Sequence, residues 1–258
     1  MPWTLSHPAA VLPLRRFTPK PLDFAALLVG STTPDVGYYV GRFDLADYAH
    51  TLAGSFFACL PCGVILLFAI YLFSRPISYA LPSPHRQALL PLCPVFPVSL
   101  TRWAILMLSL LLGAWTHNFW DAFTHEHGWF VDRIAWLQKP AIHLPSTTIH
   151  VYLVLQEIST VIGFAIVVFA YWWWLRRRPT TPSTDSETDG WRYLLWFAII
   201  VITLLVTLPP AFRVASAFHG FLFYRSFVFR VAIYSPAVAI PLSLISTTVI
   251  YACRPRRT

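Results

Sequence analysis

The sequence predicts an all-α membrane protein: a polytopic helical bundle of about five transmembrane helices, with a short re-entrant or surface helix near the amino terminus. Three observations carry this. Of 258 residues, 57% are apolar and only 12% charged, against about 25% charged in an ordinary soluble domain. Mean hydropathy is +0.59. Aromatic residues make up 16%, as expected where rings sit at membrane interfaces or pack between spanning helices. The apolar runs consume most of the chain, so residues 1–258 read as one membrane domain with no separate catalytic domain.

Residues 1–50 form an amino-terminal segment rich in candidate ligands. Within it, Phe24 to Pro34 is apolar but too short to cross a bilayer, which needs about 20 residues; following Pro19 and Pro21, it reads as a buried or re-entrant helix. Uncharged runs of spanning length follow at Leu52–Phe73, Trp103–Trp120, Ile158–Leu175, Tyr193–Phe212 and Val231–Cys253. Residues 179–190, PTTPSTDSETDG, have no apolar face and read as a mobile polar linker. The amino terminus lacks the charged leader, long apolar core and small-residue site of a cleaved signal peptide, so the first span should be retained.

The net charge is +8, and only two of the 19 basic residues are Lys. The arginines lie mostly in short loops beside apolar runs, where they orient helices and meet anionic headgroups. No basic helix or RNA-binding module is present, which argues against nucleic acid as a partner. Ten basic residues fall on one side of the predicted topology and nine on the other. The tight Arg176–Arg178 cluster and Arg254, Arg256 and Arg257 sit directly at helix ends, which places the carboxyl terminus in the cytoplasm.

Alternating the helix direction brings His50, His117, Asp121, Gln156 and Glu157 to one membrane face, together with His7 and Asp35. All eight acidic residues outside the linker lie on that face too. The densest pattern is Gly113-Ala-Trp-Thr-His117-Asn-Phe-Trp-Asp121-Ala-Phe-Thr-His125. A helix carried through it stacks His117, Asp121 and His125 on one ridge, at i, i+4 and i+8. An imidazole and a carboxylate one turn apart can share a divalent ion, and ionisable groups at membrane depth usually face a cavity, a partner or a metal. A His–Asp hydrogen bond tying two helices together explains the same pair equally well. With His7, Asp35 and His50, however, the ridge supplies the three or four ligands that a hydrolytic metal site needs beside an open position for water. Mixed nitrogen and oxygen donors favour Zn, with Mn or Fe as alternatives, over Ca. His125 is either a ligand or a group beside the ligands, and Glu157 is a candidate general base.

The opening Pro2-Trp-Thr-Leu-Ser-His7-Pro8, Gly30-Ser with Pro34-Asp35, His50-Thr51, the Gly113 to His125 block and Gln156-Glu-Ile-Ser159-Thr-Val-Ile-Gly163 together resemble the bacterial membrane proteins catalogued as domain of unknown function 4184. More remotely, the order His, Asp, His, HxxxD is similar to inner-membrane metal-dependent hydrolases of the YdjM type and to zinc-dependent phospholipase C. The arginine-glycine and serine neighbours of the hydrolase HRGxTHS pattern are missing at His50, and Asp35 does not lie in a DxDH. The close resemblance implies a bacterial inner-membrane protein without an assigned activity. The remote one implies a metal-activated water attacking an ester or phosphoester of a lipid-like molecule.

Other chemistries fit less well. The acid-phosphatase form of HxxxD needs Ser-Arg where Leu110-Leu111 stand, and His125-Glu126-His127 lacks the second His of HExxH. Cys59-Leu-Pro-Cys62 could be redox-active, but the other two cysteines are isolated, and small polarizable Cys is common in helix packing. The remaining alternative is a non-catalytic membrane protein, a transporter or scaffold, in which the His and Asp residues are structural or carry protons. Substrate and oligomeric state are not legible.

Overall fold

The computed structural model describes residues 3–97, 99–145, 147–178 and 189–254. In chain order its helices are α1 (Pro8–Val11), α2 (Phe24–Gly30), α3 (Val36–Tyr39), α4 (Phe43–Ala49), α5 (Leu52–Ala80), α6 (His85–Leu89), α7 (Leu100–Asp121), α8 (Val151–Arg176), α9 (Gly190–Ala215) and α10 (Phe221–Ala252). One small antiparallel hairpin, β1 (Pro140–Leu144) with β2 (Thr147–His150), precedes α8. The all-α polytopic class holds.

Four helices, α5, α8, α9 and α10, are long and apolar enough to cross a membrane, so the chain is an integral membrane protein. The second predicted span forms as the 22-residue helix α7, but it falls outside that group because Arg102 lies near one end and His117, Asn118 and Asp121 crowd the other. α10 begins ten residues before the predicted Val231 and takes in Arg225 and Arg230. Arginine stems can lie along an apolar helix surface while their heads reach polar surroundings, so a charge need not end a helix. Of the predicted linker, residues 179–188 lie outside the described residues, as do Arg256, Arg257 and Pro2.

The chain divides into two compact units. The first comprises residues 1–67, 97–170 and 219–222. Its centre is the crossing of α2 and α7. Asp23 caps α2 by accepting from the Ala26 N–H at 2.8 Å, and its own N–H donates to the Ser109 hydroxyl of α7 at 2.8 Å. Its carboxylate also pairs with Arg102 near the start of α7. Where the helices cross, Gly30 meets Gly113. A Cβ at Gly113 would lie 2.4 Å from the Leu27 carbonyl oxygen, and one at Gly30 would lie 2.2 Å from that of Leu110. Only hydrogen fits there. Thr51 caps α5, accepting from the Gly54 N–H at 2.9 Å. A π-helical turn, Ser55–Cys59, follows within α5, and Asn118 of α7 donates to the Ala49 carbonyl at 3.2 Å beside it.

The second unit comprises residues 68–96, 171–218 and 223–258. There Arg192 and Trp196 of α9 donate to the last carbonyls of α5, Arg192 to Tyr79 at 3.2 Å and Trp196 to Ala80 at 2.9 Å. Fully buried Arg192 also pairs with Asp189 at 3.1 Å, so its charge completes a helix carboxyl end and is matched by a carboxylate. Trp172, Trp173 and Trp174 lie under the guanidinium groups of Arg176, Arg177 and Arg178 at 4.1 to 4.8 Å, each pair four residues apart where α8 ends.

The crossing is testable. Gly113→Ala should lower the stability of the detergent-solubilised protein by roughly 1–3 kcal/mol, the usual cost of overpacking. Gly190→Ala, whose Cβ meets nothing within 4 Å, should leave it unchanged. Equal thermal midpoints for the two variants would contradict backbone contact at Gly113.

Candidate metal centre

Four chain segments of the first unit deliver polar side chains to one point. Each arrives for a local reason. His7 ends the 3-10 turn Thr4–Ser6 and precedes Pro8, whose fixed φ suits the first position of α1. That turn is fastened to α8: the Trp3 N–H donates to the Thr160 hydroxyl at 3.1 Å, and the Ser6 hydroxyl donates to the Thr160 carbonyl at 2.8 Å. Gly163 makes the docking possible, since a Cβ there would lie 2.8 Å from Ser6 Cβ. Asp35 closes the tight turn Thr33–Asp35 opened by Pro34, just beyond α2. His50 follows the last residue of α4. His117 and Asp121 occupy successive turns at the end of α7.

The distances are those of a cluster. His117 Nε2 lies 3.1 Å from Asp121 Oδ2 and 3.6 Å from Asp35 Oδ1. His50 Nε2 lies 3.2 Å from Asp121 Oδ2 and 3.8 Å from Asp35 Oδ1. His7 Nε2 lies 3.5 Å from Asp121 Oδ1, and its ring stacks on that of His117 with centroids 3.5 Å apart. Side chains of His7, Asp35, His117 and Asp121 are at most 4% exposed. His50 at 20% and His125 at 27% form the accessible edge.

Hydrogen bonds around the cluster settle which imidazole nitrogen faces inward. His117 Nδ1 lies 2.8 Å from the Ser31 carbonyl and His50 Nδ1 2.7 Å from the Ala46 carbonyl. A carbonyl only accepts, so each Nδ1 carries a proton and each Nε2 faces the carboxylates, where it offers a lone pair when the ring is neutral. Metal-ligating histidines are typically oriented in this way. The Gly30–Gly113 contact has its consequence here, because it brings Ser31 against α7 one turn before Asp121.

Do these donors fit a metal ion? His7 Nε2, His117 Nε2, Asp35 Oδ1 and Asp121 Oδ1 are buried without a hydrogen-bond partner, although buried polar atoms are ordinarily satisfied. Two ligands bound to one ion at about 2.1 Å lie about 3.0–3.4 Å apart for angles near 90–109°. The observed spacings begin at 3.1 Å and extend slightly beyond that range. The set fits. His7, His117 and Asp121 form one compact triad and Asp35, His50 and His117 another. Both need the single inward nitrogen of His117, so the arrangement favours one ion over two.

Burial sets the charge state of the groups flanking the centre. Burial, reinforced by neighbouring His117, pushes the His7 imidazole well below its ordinary value, and burial takes His125 down to about 4. Both are therefore neutral near pH 7, the form that binds metals. Burial pushes the Asp35 carboxyl up, with His117 pulling against it, so an ionised Asp35 needs cationic compensation. Tyr39 is raised to about 12 by burial and remains a hydroxyl donor.

The predicted ridge is broken at its far end. α7 stops at Asp121, and His125 follows in a turn whose main-chain N–H donates to the Asp121 carbonyl at 3.0 Å. Its ring still reaches the centre, with Nδ1 3.6 Å from Asp121 Oδ2. Glu157 is exposed on α8 while its neighbour Gln156 is buried, and none of the polar contacts among the described residues joins Glu157 to the cluster. Thr4, Tyr39 and the Ser31 carbonyl were not singled out as site groups from the sequence. Tyr39 stands four residues after Asp35 and Thr4 three before His7, but hydroxyl residues at such spacings are too common to signal a site.

The family model described as domain of unknown function (DUF4184) matches residues 1–253. The chain belongs to that family. No curated protein and no solved structure matches it, so the remoter likeness to YdjM-type hydrolases is not shown. In this DUF4184 protein the motif residues acquire physical roles: Gly30 and Gly113 permit the helix crossing, Gly163 seats the turn that carries His7, and the His and Asp residues of the first three motifs meet those of α7.

The imidazole shifts have a sign that can be measured. An unfolded histidine takes up a proton near pH 6.5, whereas folded His125 stays neutral down to about 4. The unfolded chain therefore binds more protons as pH falls through that window, and stability is lost there. Asp35, shifted upward, works in the opposite direction, so the contribution of His125 must be isolated as a difference. The loss of thermal midpoint between pH 7.5 and 5 should be smaller in His125→Gln than in wild type. Identical losses would contradict a neutral, buried His125.

Proposed function

We propose that this protein is a membrane-embedded metal-dependent hydrolase acting on an ester or phosphoester of a lipid-like substrate. The observation that carries the reading is the convergence of His7, Asp35, His50, His117 and Asp121, with His7 Nε2, Asp35 Oδ1, His117 Nε2 and Asp121 Oδ1 buried and unpaired. These five residues would hold one divalent ion, with Zn favoured by the mixed imidazole and carboxylate set and Mn or Fe as alternatives. Such an ion supplies Lewis acidity, lowering the pKa of a water and polarising an ester or phosphoryl oxygen.

The chain's own residues supply the rest. Four of the five ligands are shielded from water, while His50 and His125 line the accessible edge at which a substrate would arrive. His125 Nδ1 lies 3.2 Å from the Asp121 main-chain carbonyl, which places the proton on Nδ1 and leaves Nε2, a buried atom without a hydrogen-bond partner, as the proton acceptor. We assign proton acceptance to His125, which lies 3.6 Å from Asp121 Oδ2, in preference to Glu157, which is exposed on α8. The bilayer around the helices makes an amphiphilic ester the natural substrate class. The clusters at Arg176–Arg178 and Arg254 favour a cytoplasmic carboxyl terminus in a bacterial inner membrane.

Elemental analysis of detergent-purified protein should find about one equivalent of transition metal, lost in His117→Ala and Asp121→Ala, as removal of a ligand from a three- to five-donor site predicts. Wild-type protein that is metal-free and unaffected in stability by added Zn²⁺ would contradict the reading and leave a transporter or scaffold with structural His–Asp pairs. With metal retained, His125→Gln should slow hydrolysis of short-chain phospholipids or esters by about 10²–10⁴-fold, the usual worth of a positioned base.

A further inference from the structure

We propose that Thr4 and Tyr39 are positioning residues that aim Asp35 at the metal centre, an inference that rests on the metal-site reading above. The Tyr39 hydroxyl donates to Thr4 Oγ1 at 2.5 Å, and Thr4 Oγ1 donates to Asp35 Oδ2 at 2.5 Å. The direction of this relay is dictated by its end. An ionised carboxylate only accepts, so the one hydroxyl proton of Thr4 must point at Asp35; Thr4 must then receive its own hydrogen bond from Tyr39.

The consequence is geometric. With Oδ2 held by Thr4, the carboxylate cannot rotate freely, and Oδ1 faces His117 Nε2 and His50 Nε2 at 3.6 and 3.8 Å. Oδ1 is buried and has no hydrogen-bond partner, so the relay satisfies one oxygen and leaves the other for an ion. Thr4 also lies in the turn that ends at His7 and is fastened to α8 through Ser6. One short segment therefore delivers one ligand and orients a second, and the two ligands cannot be set independently.

The test is Zn²⁺ affinity, by chelator competition on the full-length protein in detergent, together with the visible absorption of the Co²⁺-loaded form. Thr4→Val removes the donor to Oδ2 and should weaken Zn²⁺ binding about 10–100-fold, the usual effect of removing a group that orients a ligand, and should alter the Co²⁺ spectrum. Thr4→Ser keeps the hydroxyl and should restore both. Tyr39→Phe leaves Thr4 in place and should give a smaller loss in the same direction, which keeps the test open if Thr4→Val fails to fold. Wild-type affinity and spectrum in Thr4→Val, or in Tyr39→Phe where Thr4→Val does not fold, overturn the relay while the metal site stands. A wild-type protein that binds neither Zn²⁺ nor Co²⁺ overturns the metal site and the relay with it.

Discussion

Two carboxylates, Asp35 and Asp121, are buried within reach of the same imidazole nitrogens, and the first unit is organised around that constraint. An ionised carboxylate removed from water costs several kcal/mol even after relaxation. Here the surrounding imidazoles of His7 and His125 are held neutral by their own burial, so they cannot discharge the pair as fixed cations. A bound cation would compensate both carboxylates and take up inward lone pairs in one step. The unpaired atoms at the centre, His7 Nε2, Asp35 Oδ1, His117 Nε2 and Asp121 Oδ1, are the ones such an ion would satisfy.

Holding such a centre requires backbone precision, and the means are modest. Two glycines let α2 and α7 touch main chain to main chain, which places the Ser31 carbonyl where it fixes the His117 ring. The Ala46 carbonyl at the end of α4 does the same for His50. Gly163 and Thr160 on α8 seat the amino-terminal turn. His7, His50 and His117 thus each have a support outside the centre, which is what keeps a polar cluster in one geometry when the membrane offers no water to rearrange it.

The membrane character and the long helices were legible because they depend on local properties: run length and apolarity. Helix ends were less legible, as α10 shows by continuing through Arg225 and Arg230, where charge alone suggested a stop. The His117 and Asp121 pair could be read because one helix carries both. His7, Asp35 and His50 were reached through their common membrane face and a family resemblance, since no local pattern links them. The supports at Ser31, Thr4 and Tyr39 depend on how α2, α7 and α8 meet, and a carbonyl carries no residue signature at all. Gln156 and Glu157 mark the limit of reasoning from proximity in sequence. Neighbours on a helix point about 100° apart, and here one is buried while the other is exposed.

The claim that imidazoles and carboxylates from four segments enclose a single cation is tested most directly by X-ray absorption spectroscopy at the Zn edge of protein loaded with one equivalent of Zn²⁺. The account predicts a first shell of nitrogen and oxygen only, at about 2.0–2.2 Å, with the multiple-scattering pattern of at least two imidazoles and no second metal. A sulfur shell near 2.3 Å, or a shell of oxygens without imidazole scattering, would contradict it.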